Sequence, residues 1–135
     1  MAANDRSALL LAKLLAGAGV AHFLVPRPFD TMVPRRLPGT PRTWTYVSGA
    51  AELAVAAAIA VPRTRRAGAL AAAGLFAGVF PANVKMAHDW RHRSAPLKAL
   101  AYGRLPAQAP LIGWALRTAR TASRDTLPAP QGQRP

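Results

Sequence analysis

Cysteine is absent from the 135 residues. That removes disulfides, thiol catalysis, cysteine-ligated zinc and iron–sulfur clusters. Acidic residues are scarce. Asp5, Asp30, Glu52, Asp89 and Asp125 are the whole set, against eighteen Lys and Arg, for a formal charge of +13. Histidine is also rare, with three copies, and no helical pair of ligands joins two of them to a carboxylate as a metal site requires. His88 and His92 lie four apart, but Lys85, Arg91 and Arg93 surround them and would repel a cation. The expected metal set is none.

What is present is apolar sequence, about half of the chain. Two classes of protein combine that with a large positive charge. A soluble nucleic-acid binder spreads its cations over a helix face to meet phosphates. A membrane protein sorts them out of its apolar runs and into short loops. Here arginine is sorted: positions 35–36, 63–66, 91–93 and 117–124 all lie between or after apolar runs. The pattern favours the membrane and argues against a nucleic-acid partner. The amino terminus does not read as a cleaved signal, because Lys13 interrupts the apolar run after Arg6 and no cleavage site precedes a soluble domain.

The expected organisation is all-α, an integral membrane four-helix bundle. Residues 1–6 form a polar start, with Ser7 as a helix cap. Residues 7–120 hold four spans at about 8–25, 44–61, 67–84 and 105–119, and 121–135 form a disordered basic tail. The fourth span is short, covering only about 24 Å as a helix to Arg120. Pro106 would sit in its first turn, after a polar connection over 85–104. Between spans one and two, residues 26–45 carry five prolines and four arginines interleaved with Phe29, Met32, Val33 and Leu37. That reads as an amphipathic segment in the headgroup region, its arginines on anionic lipid. Trp44, Tyr46, Trp90 and Trp114 are expected interface anchors. Rows of small residues, Ala50/Ala54/Ala58 and Gly74/Gly78, are expected helix contacts. Four spans put both termini on one side, and the dense cations of the 63–66 turn place that side in the cytoplasm.

One residue stands against its surroundings. Glu52 has an apolar, small-residue run on each side, where a carboxylate is costly. Alternating span directions bring company to its depth: His22 from span one, Asn83 from span three and Gln108 from span four, with Ser48 one turn before Glu52 on the same face. These five residues form the expected polar pocket, near the two long loops. Such a layer has two readings. It either fixes helix register through hydrogen bonds, or binds and protonates a polar head group, a quinone oxygen being one candidate.

The residues that carry these features also carry a family likeness. His22-Phe23 is followed by Pro26 and Phe29, then Leu37-Pro38, then Val47-Ser-Gly-Ala-Ala-Glu52-Leu53. Phe80-Pro-Ala-Asn83 comes next, then Arg104-Leu-Pro-Ala-Gln108 and Leu111-Ile-Gly-Trp114. This order and spacing resemble the DoxX-like membrane proteins over about residues 8–118. The resemblance implies a multi-pass protein of the bacterial inner membrane. Some relatives are a small subunit of thiosulfate:quinone oxidoreductase, and others associate with enzymes of oxidative and thiol stress. The expected role is therefore an accessory, non-catalytic subunit of a membrane redox or oxidative-stress assembly, contacting a partner protein and quinone at the Glu52 layer. The alternatives are a lipid or small-molecule carrier, and a soluble basic nucleic-acid binder. No flavin or haem motif is visible.

Overall fold

A computed structural model describes residues 3–125, and every described regular element is a helix. The expected disorder of 126–135 lies outside the described residues. Helix α1 spans Ala3–Leu24, α2 Pro26–Asp30, α3 Pro41–Ala60, α4 Arg65–Gly78, α5 Phe80–Asp89 and α6 Ala95–Asp125. Helix α1 packs on α3, α3 on α4, α4 and α5 on α6, and α6 closes back on α1. With α4 and α5 as one bent leg, four helical legs form a ring.

Local sequence sets the boundaries. Pro26 ends the α1 run and opens α2, because its ring fits a first turn and cannot continue the preceding helix. Helix α3 begins at Pro41, three residues before the expected Trp44, because Thr40 caps it and accepts from Thr43 N–H at 3.3 Å. Val61 is extended before Pro62, which ends α3. The α4–α5 leg breaks at Val79, two residues before Pro81, a residue with no N–H to donate backwards.

Expectations change at both ends of the chain. Ser7 is no cap: α1 starts at Ala3, and the Ser7 hydroxyl lies inside it, 2.8 Å from Trp114 Nε1. The fourth leg is no short span. Helix α6 runs 31 residues, about 46 Å at the usual rise, through Pro106 and Pro110 and into 121–125. Its first ten residues, Ala95 to Arg104, hold three Ala, two Leu, Lys98 and Arg104, good helix formers that the charge-based loop boundary concealed. Both prolines sit on exposed positions.

The core is small-residue packing. Leu11, Leu15, Ile59 and Thr45 are its largest fully buried side chains, and alanine supplies most of the rest. Such surfaces let backbones approach closely. At the α1–α3 crossing a Cβ on Gly19 would lie 2.9 Å from Gly49 O, and one on Gly49 would lie 2.7 Å from His22 Cβ. Of the expected rows, Ala58 makes such a contact, with α4, where a Cβ on Gly68 would lie 2.8 Å from Ala58 Cβ. Ala50 and Ala54 are exposed, because the buried face of α3 passes through Thr45, Gly49, Ala56 and Ile59. A Cβ on Gly74 or Gly78 would meet nothing within 4 Å among the described residues.

The ends of the ring are tied differently. Arg65 is buried, and donates to Ile59 O at 3.0 Å and to Asp5 at 2.6 Å. The start of α1 and the 61–64 turn therefore share one end. At the other end Asp30 holds α2 to α3. Arg42 grips both of its oxygens and Thr45 donates to one at 2.7 Å. The Arg42 guanidinium holds the Asp30 carboxyl below the usual carboxylate range.

Candidate functional site

A cavity of about 410 Å3 opens at the Asp30 end of the ring. Four of the five expected pocket residues line it: His22, Ser48, Glu52 and Asn83. Helix α1 supplies the first, α3 the next two and α5 the last. Its apolar roof comes from the 26–45 segment, through Phe29, Met32, Val33, Pro34 and Leu37. These are the residues expected to lie in headgroups. They line the cavity because the Asp30 tether and the bond from Trp44 Nε1 to Pro38 O (2.7 Å) fold the segment back over α3, with Leu37 still exposed at its edge.

At its centre His22 Nδ1 faces two acceptors. The Ala18 carbonyl is 2.8 Å away and Glu52 Oε2 is 3.1 Å away. A carbonyl only accepts, so Nδ1 carries the hydrogen. One hydrogen cannot serve both oxygens well, and the bond to Ala18 takes it. Glu52 Oε2 is thus buried within ion-pair distance of the imidazole, which it meets off the N–H axis, and has no well-aligned hydrogen bond. An unsatisfied buried carboxyl oxygen costs free energy, on the order of 1–3 kcal/mol or more. The Glu52 side chain is 15% exposed while Oε2 is not, so its remaining atoms supply the accessible part. Phe29 stacks on the His22 ring at 3.8 Å, holding the ring plane.

Gln108 is not part of the cavity. It is buried on α6 and donates its amide to Phe76 O at 2.7 Å. Its role follows from the break at Val79: the last carbonyls of α4 lose helical donors there, and a side-chain amide from the neighbouring leg replaces one. Pro81 has no N–H for the Ala77 carbonyl four residues back; the carbonyl that Gln108 serves is that of Phe76, one residue earlier. Sequence reasoning missed Arg104. Its Nε donates to Asn83 Oδ1 at 3.2 Å and the residue lines the cavity wall. The signal was present, because Arg104 is one turn before Gln108 and shares its face, but only if α6 extends back through it.

The expected anchors divide. Trp44 lines the cavity. Tyr46 is exposed and stacks on Phe23 at 5.2 Å. Trp90 is half-buried at the end of α5. Trp114 is half-buried against the core, with its N–H bound to Ser7 inside the ring rather than at a surface. Among the described residues no three His, Cys, Asp or Glu come together. The arrangement offers a buried acceptor, a fixed imidazole, an arginine–asparagine pair and an apolar roof. It suits a flat, polar-edged ligand and the exchange of one proton.

Fold and cavity define an all-helical protein in which two helical stretches, Ala3–Leu24 and Arg65–Asp89, are long and apolar enough to cross a bilayer. The chain belongs to the family described as Domain of unknown function (DUF8561), which matches residues 11–119 and so contains the whole cavity lining. No curated protein and no solved structure matches it.

Proposed function

We propose that this chain is a four-pass protein of a bacterial inner membrane, of the DoxX-like kind, and that its cavity takes the head group of a quinone as an accessory part of a redox or oxidative-stress assembly. The observation that carries the reading is the unsatisfied Glu52 Oε2 beside a fixed imidazole, under an apolar roof. A cavity of this size falls in the range of small-molecule sites. The hydroxyl of the reduced quinol would supply the donor that Glu52 lacks, and Arg104, also in the lining, could donate to a ligand oxygen. Membrane residence is supported by the outward surface. Only about a third of each candidate spanning window is buried, and Leu10, Leu14, Val20, Leu24, Leu70 and Val84 are exposed on those stretches. The core helix of a soluble protein hides such residues. The shared end of the α1 start and the 63–66 arginines fits both termini in the cytoplasm.

Purification in detergent and extraction of bound lipids tests this. Quinone should co-purify, and Glu52→Gln should leave thermal stability unchanged while lowering quinone occupancy. Loss of stability without loss of occupancy would reduce Glu52 to a packing residue. A second reading, a lipid or small-molecule carrier, draws on the same cavity; exchange between liposomes above that of empty vesicles would favour it. Recovery of the full chain in the soluble fraction after lysis would end both and restore the nucleic-acid reading.

A further inference from the structure

A second concavity, of about 670 Å3, lies on the same end of the ring, outside the roofed cavity. Its charge is unusual. Arg27 comes from α2, Arg35 from the turn after it, and Arg93 from the connection before α6. Three separate segments thus bring guanidinium groups to one groove. The groove holds two carboxylates, and both are engaged: Asp30 by Arg42 and Thr45, Asp89 by Lys85 at 2.5 Å. Lys85 also donates to Thr31 O at 2.9 Å, which fixes the floor. None of the three arginines lies within ion-pair distance of a carboxylate among the described residues, although Arg35 is near enough to Asp89 to join Lys85 in attracting its carboxylate. Convergent like charges repel, and a fold that gathers more cations than its two engaged carboxylates neutralise leaves a place for an external anion. Guanidinium forks match phosphate oxygens. The wall beside them is apolar, with half-buried Trp90 and exposed Leu97, and it lies where the apolar run of α1 ends at Leu24.

We propose that this groove binds the phosphate of an anionic phospholipid, with Arg27, Arg35 and Arg93 on the phosphate and Trp90 and Leu97 along the glycerol and first acyl carbons. The phosphate chemistry stands on the groove alone; the lipid as its source rests on the membrane reading. Bound there, the lipid would bridge α2, the end of α5 and the start of α6, and so brace the roof of the neighbouring cavity.

The test uses the full chain in detergent, titrated with short-chain phosphatidylglycerol, with phosphatidylcholine of the same chain length, and with inorganic phosphate, followed by tryptophan fluorescence. Phosphatidylglycerol should bind more tightly than phosphatidylcholine. A juxtamembrane arginine contributes about fivefold, so Arg27→Gln/Arg35→Gln/Arg93→Gln should weaken phosphatidylglycerol binding on the order of a hundredfold. A control with equal charge loss at the other end, Arg63→Gln/Arg66→Gln/Arg117→Gln, should keep the preference. Equal affinity for the two lipids, or equal loss in the control, overturns the proposal. Binding of inorganic phosphate that the groove variant abolishes, with no lipid preference, overturns the lipid and leaves a free phosphate compound as ligand. Membrane fractionation of the parent chain tests the membrane reading separately.

Discussion

Adding one methyl group at Gly49 and the same group at Gly17 should move stability in opposite directions. Both glycines are helical, and alanine in a helix interior is more stable than glycine by about 0.5–1 kcal/mol. At Gly17 a Cβ meets nothing within 4 Å, so Gly17→Ala keeps that gain. At Gly49 the Cβ would lie 2.7 Å from His22 Cβ, 2.8 Å from Phe23 Cε2 and 3.0 Å from Gly19 O. Two of these three neighbours, His22 Cβ and the Gly19 carbonyl, sit on or next to the α1 backbone, so no rotamer change removes the clash. The helices must separate, at a typical overpacking cost of about 1–3 kcal/mol. The propensity gain is common to both variants, so the difference between them isolates the steric cost. The assay is unfolding of the full chain in detergent, followed by helical circular dichroism, with Gly74→Ala as a second unhindered control. The expected order is Gly49→Ala below Gly17→Ala and Gly74→Ala, by about 1–3 kcal/mol. If Gly49→Ala rises with the controls, α1 and α3 do not cross there. The crossing then would not hold His22 against Glu52, and the geometry of the cavity would fall with it.

The remaining predictions concern the ties around the site. Gln108→Leu keeps the bulk of the side chain but leaves Phe76 O without its donor, and should lower unfolding stability by about 1–3 kcal/mol; a variant as stable as the parent would mean that the Val79 break is satisfied another way. Asp30 has a folded-state pKa below its unfolded value, because Arg42 hydrogen-bonds its carboxylate. Its contribution is therefore present above the unfolded pKa, near about 3.9, and lost as pH falls through the lower folded value. Asp30→Asn should be less stable than the parent at neutral pH, and the gap should narrow in thermal scans as pH falls below about 3.9; a constant gap would refute that.

Helix existence was legible because apolar runs and prolines mark it locally. Glu52 stood out because a carboxylate in an apolar run is expensive wherever it lies. His22, Ser48 and Asn83 followed from counting turns on antiparallel legs. What was hidden shares one cause: the sequence shows where charge lies, but not which way a segment folds. The Met32–Leu37 stretch looked like a surface segment until Asp30 and Trp44 turned it over the cavity. Arg104 looked like the end of a loop, because a polar stretch that continues a helix is indistinguishable in charge from one that ends it. Gln108 was placed at the right depth but assigned the wrong partner. Depth is a one-dimensional coordinate, and the choice between a cavity and a helix break is made around the ring.

That distinction bears on Glu52. A residue that only fixes register is satisfied by its neighbours, as Gln108 is by Phe76 O and Asn83 is by Arg104. Glu52 is not. The fold directs the nearest hydrogen, that of His22 Nδ1, at the Ala18 carbonyl and leaves Oε2 buried at 3.1 Å with only an off-axis contact to it. Turning the imidazole toward Glu52 would satisfy the acid, but the Phe29 stack at 3.8 Å opposes that rotation. A packing role alone gives no reason to hold the donor away from the acceptor. A site that receives its own donor from a ligand does, because the unmet bond is then made on binding. Phe29→Ala separates the two roles. Freed of the stack, the ring can turn to Glu52, and ligand affinity should fall although no polar group has been removed; unchanged affinity would show that the imidazole's orientation has no part in binding.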